Sequence, residues 1–368
     1  MSSELQQVYN SILLPGREEE ARVLMLSLIA RQHCVLIGPP GTAKSLLISR
    51  LARMFNVQYF EYLLTKFTQP EELLGYPNIK VLREQGEYQL ITRNRLPEAK
   101  LAFIDEIFKG SSAILNALLQ ILNERKFFDG QKVIKVPLWT AMGASNEVPE
   151  EPELQALWDR FLFRHWVYYI SRDRWEELLT TYWAVHKSKA VQNSFDFKII
   201  EEAHNKLWNV NVFTMTNKLL QIFAKLEDSH GIVISDRRKG RCLIALASNA
   251  ILNDRDVVLP EDFLVLKYVI PENEDQVKTV EQVIIDIIGE DLKVKQELSS
   301  AIQQLQGFIE ELENASDFDE AIRIAERAKF VGDVLSKYSN YKDFEEYQKL
   351  KQLSEEFSKV LAKKIVSP

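Results

Sequence analysis

From about residue 21 to 171 the apolar positions change period again and again. "ARVLMLSLIARQ" has helical spacing, "HCVLIG" is a short apolar run that stops at a glycine, and "SLLISRLARMF" is helical once more, followed by "VQYFEYLL". "AKLAFIDE" reads as a second apolar strand closing on two acids, and "SSAILNALLQILNER" as an amphipathic helix. "LWTAMGASNE" and "FRHWVYYI" read as further strands. Strands alternating with helices predict a parallel sheet covered on both faces. Two stretches interrupt the rhythm. "NIKVLREQGEYQLITRNRLPEA" shows period-two runs around Gln85-Gly86-Glu87, and "RKFFDGQKVIKVP" places Asp129-Gly130 between strand-like runs. Both predict β-hairpins inserted into the βα framework.

After Ser171 the strand signal fades. "DRWEELLTTYWAVHKS", "DFKIIEEAHNKLWNV", "TNKLLQIFAKLEDS" and "DRRKGRCLIALASNAILN" all read as helices, and this region closes near "VIPENEDQ". The last section is rich in Glu, Lys and Gln. There Val294, Leu298, Ala301, Leu305, Phe308 and Leu312 follow alternating steps of four and three, a coiled-coil seam. "ENASD" predicts a turn, and Phe318, Ile322, Ala325, Ala328, Val331 and Leu335 then fall on one face of a returning helix. A final helix over about 343–365 would complete an antiparallel bundle. The expected division is an α/β core over 1–171, an all-α region over 172–272 and a C-terminal helical section over 273–368.

A chain of 368 residues with 46% hydrophobic and 27% charged content fits a globular protein of two or three domains. Its two cysteines, Cys34 and Cys242, lie far apart, which argues against a disulfide framework and for a reducing, cytoplasmic setting. The five histidines are scattered without metal-ligand spacing. No apolar run reaches the roughly 18–20 residues that span a bilayer, and the N-terminus lacks the basic-then-apolar order of a signal peptide. The net charge of −7 disfavours non-specific nucleic-acid binding.

The chemistry begins at "LIGPPGTAKSLL", residues 36–47. A phosphate loop works because backbone N–H groups curl around phosphate oxygens at the positive end of the next helix. Here Gly38 and Gly41 give flexibility, Pro39, Pro40, Thr42, Ala43 and Leu46 complete the loop, Lys44 supplies the charge, and Ser45 a hydroxyl for Mg²⁺. Ala43 stands where the strict pattern wants glycine. One added methyl group is compatible with ordinary helical angles at a helix start, so the loop is expected to function. The acidic strand end puts Asp105 where it could complete the Mg²⁺ shell and Glu106 where it could activate water. "TAMGASNE" ends the next strand on Ser145-Asn146, placing Asn146 to touch the γ-phosphate or hold the attacking water.

Loop, "FIDE", "GASNE", "ALWDRFLFR" and "ISDRR" resemble, in that order, the MoxR family of AAA+ ATPases over about residues 5–270. "LLTKFTQPEELLG", "LPEAKLAFIDEIFKG", "AILNALLQILNERKFFDG" and "ASNEVPEEPELQALWDRFLFR" are similar to its RavA branch. The resemblance implies a P-loop AAA+ core with an all-α lid, ATP and Mg²⁺ as cofactors, hydrolysis of ATP, and a hexameric ring. By the same resemblance Arg160 matches the arginine finger that reaches a neighbouring subunit's γ-phosphate, with Arg164 as a second candidate. Arg237, or Arg238 beside it, matches the lid arginine that touches the same phosphates, and Ser235 would cap its helix. Gly16 and Arg17 in "LLPGREEE" fall where the family packs around adenine. The family's members remodel or mature partner complexes, often with a partner bearing a von Willebrand factor A domain. The RavA branch adds a small β-rich module that contacts a decarboxylase. Residues 275–368 have no strand-rich segment, so that link is not transferred.

Three other readings share some of these features. A kinase also uses a phosphate loop, but the Asp-Glu strand end favours hydrolysis. A nucleic-acid-remodelling motor would share the hairpins, against the acidic balance. A nucleotide-gated binding scaffold would keep the loop and hydrolyse little. The absence of an NKxD segment argues against guanine specificity.

Overall fold

The computed structural model describes residues 2–129, 132–149, 151–187, 194–315, 318–342 and 344–366. They fall into two compact units, 1–283 and 284–368. The first contains β1 (His33–Ile37), an interior strand whose five residues are all buried. A continuous apolar run of this kind belongs to a strand covered on both faces. It lies in a five-stranded parallel sheet with β2 (Tyr59–Leu63), β5 (Leu101–Asp105), β8 (Thr140–Ser145) and β9 (Phe161–Trp166), in the order β2-β5-β8-β1-β9. This is the parallel α/β core predicted from the alternation.

Helices α2 (Glu18–Ala30), α3 (Lys44–Arg53), α6 (Ser112–Glu124) and α7 (Pro152–Trp158) pack around the sheet, and α1 (Ser2–Ile12) lies against α2 and α3. The core joins Val35, Ile104 and Ala141 of the strands to Ile114, Leu118 and Ile121 of α6 and to Leu157 and Trp158 of α7. Register then decides what meets at the sheet's finishing end. Ile37 pairs with Ser145, Ile104 with Gly143, and Leu63 with Asp105. The last residues of β1, β5 and β8 are therefore neighbours, and the finishing ends of such strands are where open α/β sheets bind ligands.

The first insertion corrects the expected hairpin. Ile79–Gln85 is a helix, α5, flanked by the two-residue strands β3 (Tyr76–Pro77) and β4 (Leu90–Ile91), with α4 (Pro70–Leu74) before them. Asn78 caps α5 by accepting a hydrogen bond from Val81 N, and Gly86 ends it in the left-handed conformation. Start and stop signals eight positions apart outweigh an alternation that buries nothing. The second insertion is the predicted hairpin: β6 (Lys126–Asp129) pairs antiparallel with β7 (Lys132–Lys135). Gly130 of its turn lies outside the described residues. Asp129 Oδ1 accepts from Leu90 N at 2.6 Å, tying the two insertions together.

Beyond β9 the first unit is helical: α8 (Trp175–Lys187), α9 (Lys198–Leu207), α10 (Thr216–His230), α11 (Asp236–Leu252) and a 3-10 segment Pro260–Tyr268. Ser235 caps α11, accepting from Arg238 N at 3.3 Å. The second unit holds the later part of α12 (Glu274–Asn314), then α13 (Phe318–Ala328), α14 (Phe330–Lys337) and α15 (Glu345–Val366). Val294, Leu298, Ala301, Leu305 and Leu312 are buried as the seam predicts. On the return, Ala321 and Ile324 are buried while Ile322 is exposed. Ala321, Ile324, Ala328 and Val331 keep one helical phase across Lys329, which stands between α13 and α14, so the buried face in α13 lies one residue before the predicted Ile322 and Ala325. Ser316 and Asp317 of the predicted turn lie outside the described residues. Among the described residues no helix is long and apolar enough to cross a membrane.

Candidate functional site

At the finishing end of β1, Gly38 leaves the sheet while its N–H still donates to Ser145 O (3.0 Å). A Cβ on Gly38 would lie 2.1 Å from Val167 O, so only glycine fits. Ala43 corrects an expectation. It adopts φ 64 and ψ 20, left-handed rather than helical. A Cβ costs about 1–2 kcal/mol there, so the loop tolerates the alanine under strain. Thr42 is buried, with its Oγ1 donating to Pro39 O (2.9 Å). The Lys44 ammonium is also buried and donates to Gly38 O (2.6 Å) and Pro39 O (2.9 Å). Burial holds its pKa below the usual lysine value, partly offset by Asp105 and Glu106.

The acidic strand end reaches the same place. Ser45 Oγ donates to Asp105 Oδ2 (3.0 Å), bringing together hydroxyl and carboxylate from positions sixty residues apart. Glu106, at φ 52, is also left-handed. Its Oε1 accepts from Asn146 Nδ2 at 2.6 Å, and its Oε2 stands 3.2 Å from Lys109 Nζ. The five side chains proposed to handle phosphate, metal and water, Lys44, Ser45, Asp105, Glu106 and Asn146, thus converge from three strand ends.

Beside them opens a cavity of about 910 Å³, lined by Gly41, Thr42, Ala43, Leu46, Leu14, Pro15, Arg17, Tyr169, Ile170 and Tyr182 among others. The Tyr169 hydroxyl donates to Pro40 O (3.4 Å). Gly16 turns the chain at φ 69, packed on Ile170. Arg17 is buried and donates to Glu20 Oε1 (2.9 Å) and Tyr168 O (2.8 Å). A nucleotide fits this apolar cavity beside a glycine cradle. Ser45 and Asp105 form a pair of hard oxygen ligands that suits Mg²⁺ once phosphate oxygens complete the shell.

The remaining arginines lie elsewhere. Asp159 and Arg160 precede β9, whose first residue pairs with His33 at the start of β1. This is the opposite end of the sheet from Gly38, roughly 17 Å away for a strand of this length. There Asp159 Oδ2 accepts from Arg160 Nη1 (3.1 Å) and Arg237 Nη1 (3.2 Å), and Oδ1 accepts from Arg238 Nη2 (3.2 Å). Arg237 and Arg238 therefore do not meet the phosphate loop of their own chain and stand beside Arg160 instead. Arg164 is fully buried. It donates to Glu272 Oε2 (2.7 Å), Trp158 O (3.1 Å) and Phe161 O (3.2 Å), so it has no path to a neighbouring subunit. Desolvation depresses its pKa to about 9, with Arg238 adding to the fall and Glu272 opposing it.

Comparison with known proteins now bears on this geometry. Residues 3–205 match the model of a "MoxR domain in the MoxR-vWA-beta-propeller ternary systems". The chain belongs to the MoxR family of AAA+ ATPases. Residues 214–284 match an AAA lid domain. Two uncharacterized Methanocaldococcus jannaschii proteins are 39% and 38% identical to it, over 77% and 75% of this chain and 73% of each relative. The chaperone MoxR1 of Mycobacterium tuberculosis is 25% identical over 68% of this chain and 70% of that protein. A 2.00 Å crystal structure of a candidate ATPase from Cytophaga hutchinsonii shares the fold. Its TM-score is 0.61 at 19% identity, covering 78% of this chain and 92% of that one.

Within this MoxR chain, three charged residues, Lys109, Glu20 and Glu272, carry contacts that the motifs did not mark. Lys109 was findable, one helical turn after Glu106 in "FIDEIFKG". Glu20 stands three residues after Arg17 and pairs with it. Asp159 was legible as the acid beside Arg160 that could pair with it, though not as the shared acceptor of Arg237 and Arg238. Glu272, 108 positions from Arg164, has no local signal at all.

Proposed function

We propose that this MoxR ATPase hydrolyses ATP with Mg²⁺ and uses the cycle to remodel or mature partner proteins as a chaperone-like hexameric ring. The observation that carries the reading is the convergence of Lys44, Ser45–Asp105 and Glu106–Asn146 at one end of the sheet, beside the cavity. In it, Lys44 exchanges its loop carbonyls for the β- and γ-phosphates, and Ser45 and Asp105 would hold Mg²⁺, which when bound would supply neutralisation of phosphate charge. Glu106 accepts the proton of the attacking water while Asn146 fixes its carboxylate. The base fits the apolar cavity, where Arg17, Pro15 and Tyr169 bound it. Arg160 acts on the phosphates of an adjacent subunit, as its place at the far end of the sheet favours, and Arg237 joins it there.

The segments 1–171, 172–272 and 273–368 then serve as core, lid and a helical section that docks a partner. The RavA-like segments support a core of that branch. The family model's description supports a von Willebrand factor A domain partner and a β-propeller protein as third member. Cys34 and Cys242, both free thiols, suit a cytoplasmic setting.

Phosphate release with Mg²⁺ and ATP tests the reading. Wild-type protein turns over, and Glu106→Gln loses about 10³-fold in turnover while still binding ATP. The stalled variant retains its partner in an ATP-dependent pull-down. Wild type that neither binds nor cleaves ATP at concentrations favouring assembly would overturn the proposal.

A further inference from the structure

We infer that Asp159 is a positioning residue: its carboxylate parks Arg160 and Arg237 together and yields both to the phosphates of an adjacent subunit's ATP. This rests on the proposed reading in which Arg160 acts across a subunit interface.

Asp159 closes α7 and precedes β9, so the core fixes its backbone. Its carboxylate is the shared acceptor of one core arginine and two lid arginines, at 3.1–3.2 Å. Arg241 of the lid also feels its charge. The three bound arginines are not equivalent. Arg238 is buried and anchored besides on Val269 O (2.6 Å), with its Nε 3.6 Å from Glu272. Arg237 is about half exposed and shares Oδ2 with Arg160, whose buried Nε has no hydrogen-bond partner. Arg160 and Arg237 therefore hold donor capacity in reserve, and Arg238 does not.

The electrostatics explain why an acid must stand here. Arg160, Arg237, Arg238 and Arg241 crowd one edge, and like charges this close repel unless an anion lies among them. Asp159 supplies that anion in the lone subunit. A triphosphate brought to the edge carries more negative charge and more acceptor oxygens, so the guanidiniums exchange one partner for a stronger one. They need not first be gathered from solvent, and such preorganisation is what makes electrostatic catalysis effective. Because Asp159 joins core to lid, the exchange also loosens a core–lid tie at the moment a neighbour's ATP is engaged.

A subunit-mixing experiment on the full chain tests this. Asp159→Asn keeps its own phosphate loop but loses the anion that gathers the arginines. Lys44→Ala loses its phosphate loop but keeps an intact arginine edge. Asp159→Asn alone should lower turnover by roughly 10²-fold, the scale of losing one oriented donor, with its KM for ATP unchanged. Mixed with Lys44→Ala, it should regain a rate about tenfold above either variant alone, because Lys44→Ala neighbours lend intact arginines. Asp159→Glu retains the charge and should recover part of the turnover, which guards against a folding defect in the Asn variant. A mixture no better than the average of its parts would overturn the inference, as would an Asp159→Asn KM that rises in step with the loss of turnover. Wild type without ATP turnover would overturn both this and the hydrolytic reading, whereas active wild type with failed mixing overturns this inference alone.

Discussion

The two ends of one parallel sheet differ in how they hold charge. Where β1, β5 and β8 finish, a single buried ammonium faces two carboxylates and rests on the carbonyls of its own loop. Where β1 and β9 begin, several guanidiniums crowd one carboxylate. The first end is built to receive a polyanion and cleave it. The second has cations to lend and lies away from the cavity beside the phosphate loop. Each is half of a hydrolytic centre, and the length of a strand keeps the halves apart within one chain. On this view completeness comes only from a second subunit.

The largest effects should separate the halves. Lys44→Ala and Arg160→Ala should each reduce turnover by about 10³-fold or more. Only Lys44→Ala should also abolish ATP binding, measured by titration with a fluorescent nucleotide. Equal loss of affinity in Arg160→Ala would put both ends in the same site and dissolve the contrast.

Arg164 sharpens the comparison from the other side, since it shares the "DRFLFR" segment with Arg160 yet is enclosed by Trp158, Phe161 and Glu272. Arg164→Met should cost about 2 kcal/mol of stability, below the full value for a buried pair because Glu272 keeps contact with water. Turnover per folded molecule should stay within about threefold. Thermal unfolding together with active-site titration distinguishes this outcome from a catalytic loss.

Much of the phosphate end was legible because its chemistry is local. Loop, acidic strand end and polar strand end each announce themselves within about ten residues, and parallel register then has to bring them together. The arginine end was half legible. "DRF" and "ISDRR" mark the residues, but which end of the sheet the lid packs against depends on contacts among Asp159, Arg238, Val269 and Glu272 that no short stretch contains. The same limit explains α5, where the cap residues Asn78 and Gly86 outweighed a weak alternation. It also explains Ile322, because Ala321 and Ile324 on either side of it are the positions that meet the bundle, a choice set by packing partners far along the chain.

A smaller effect concerns pH. His33 opens β1 at the arginine end, fully buried, with Nδ1 accepting from Ala141 N (2.9 Å). Burial first, then the charges of Arg125 and Arg241, hold its pKa well below the ordinary histidine value, against the Leu122 carbonyl. The folded state thus binds fewer protons than the unfolded chain. Stability from this group is whole above the unfolded value near 6.5 and is lost as pH falls below it, by up to about 1.4 kcal/mol per pH unit. His33→Gln keeps a donor and an acceptor and should flatten the acid side of a melting-temperature profile between pH 7 and 5.5. An unchanged slope would move the acid sensitivity elsewhere.

The smallest effect tests where strain is stored. Ala43 and Glu106 both hold left-handed backbone, one in the phosphate loop and the other on the acid that faces water. At the arginine end Asp159 keeps ordinary helical angles. Ala43→Gly should relieve about 1–2 kcal/mol of left-handed strain and give back about 0.4–1 kcal/mol through the freer unfolded chain. The net gain is about 0.5 kcal/mol, or roughly 1–2 °C in melting temperature for a unit of this size. ATP affinity should stay within about twofold, because the alanine methyl replaces no hydrogen bond. A melting temperature that falls would mean that the methyl group packs favourably enough to repay its conformation. The loop's departure from glycine would then be a stabilising feature of the receiving end.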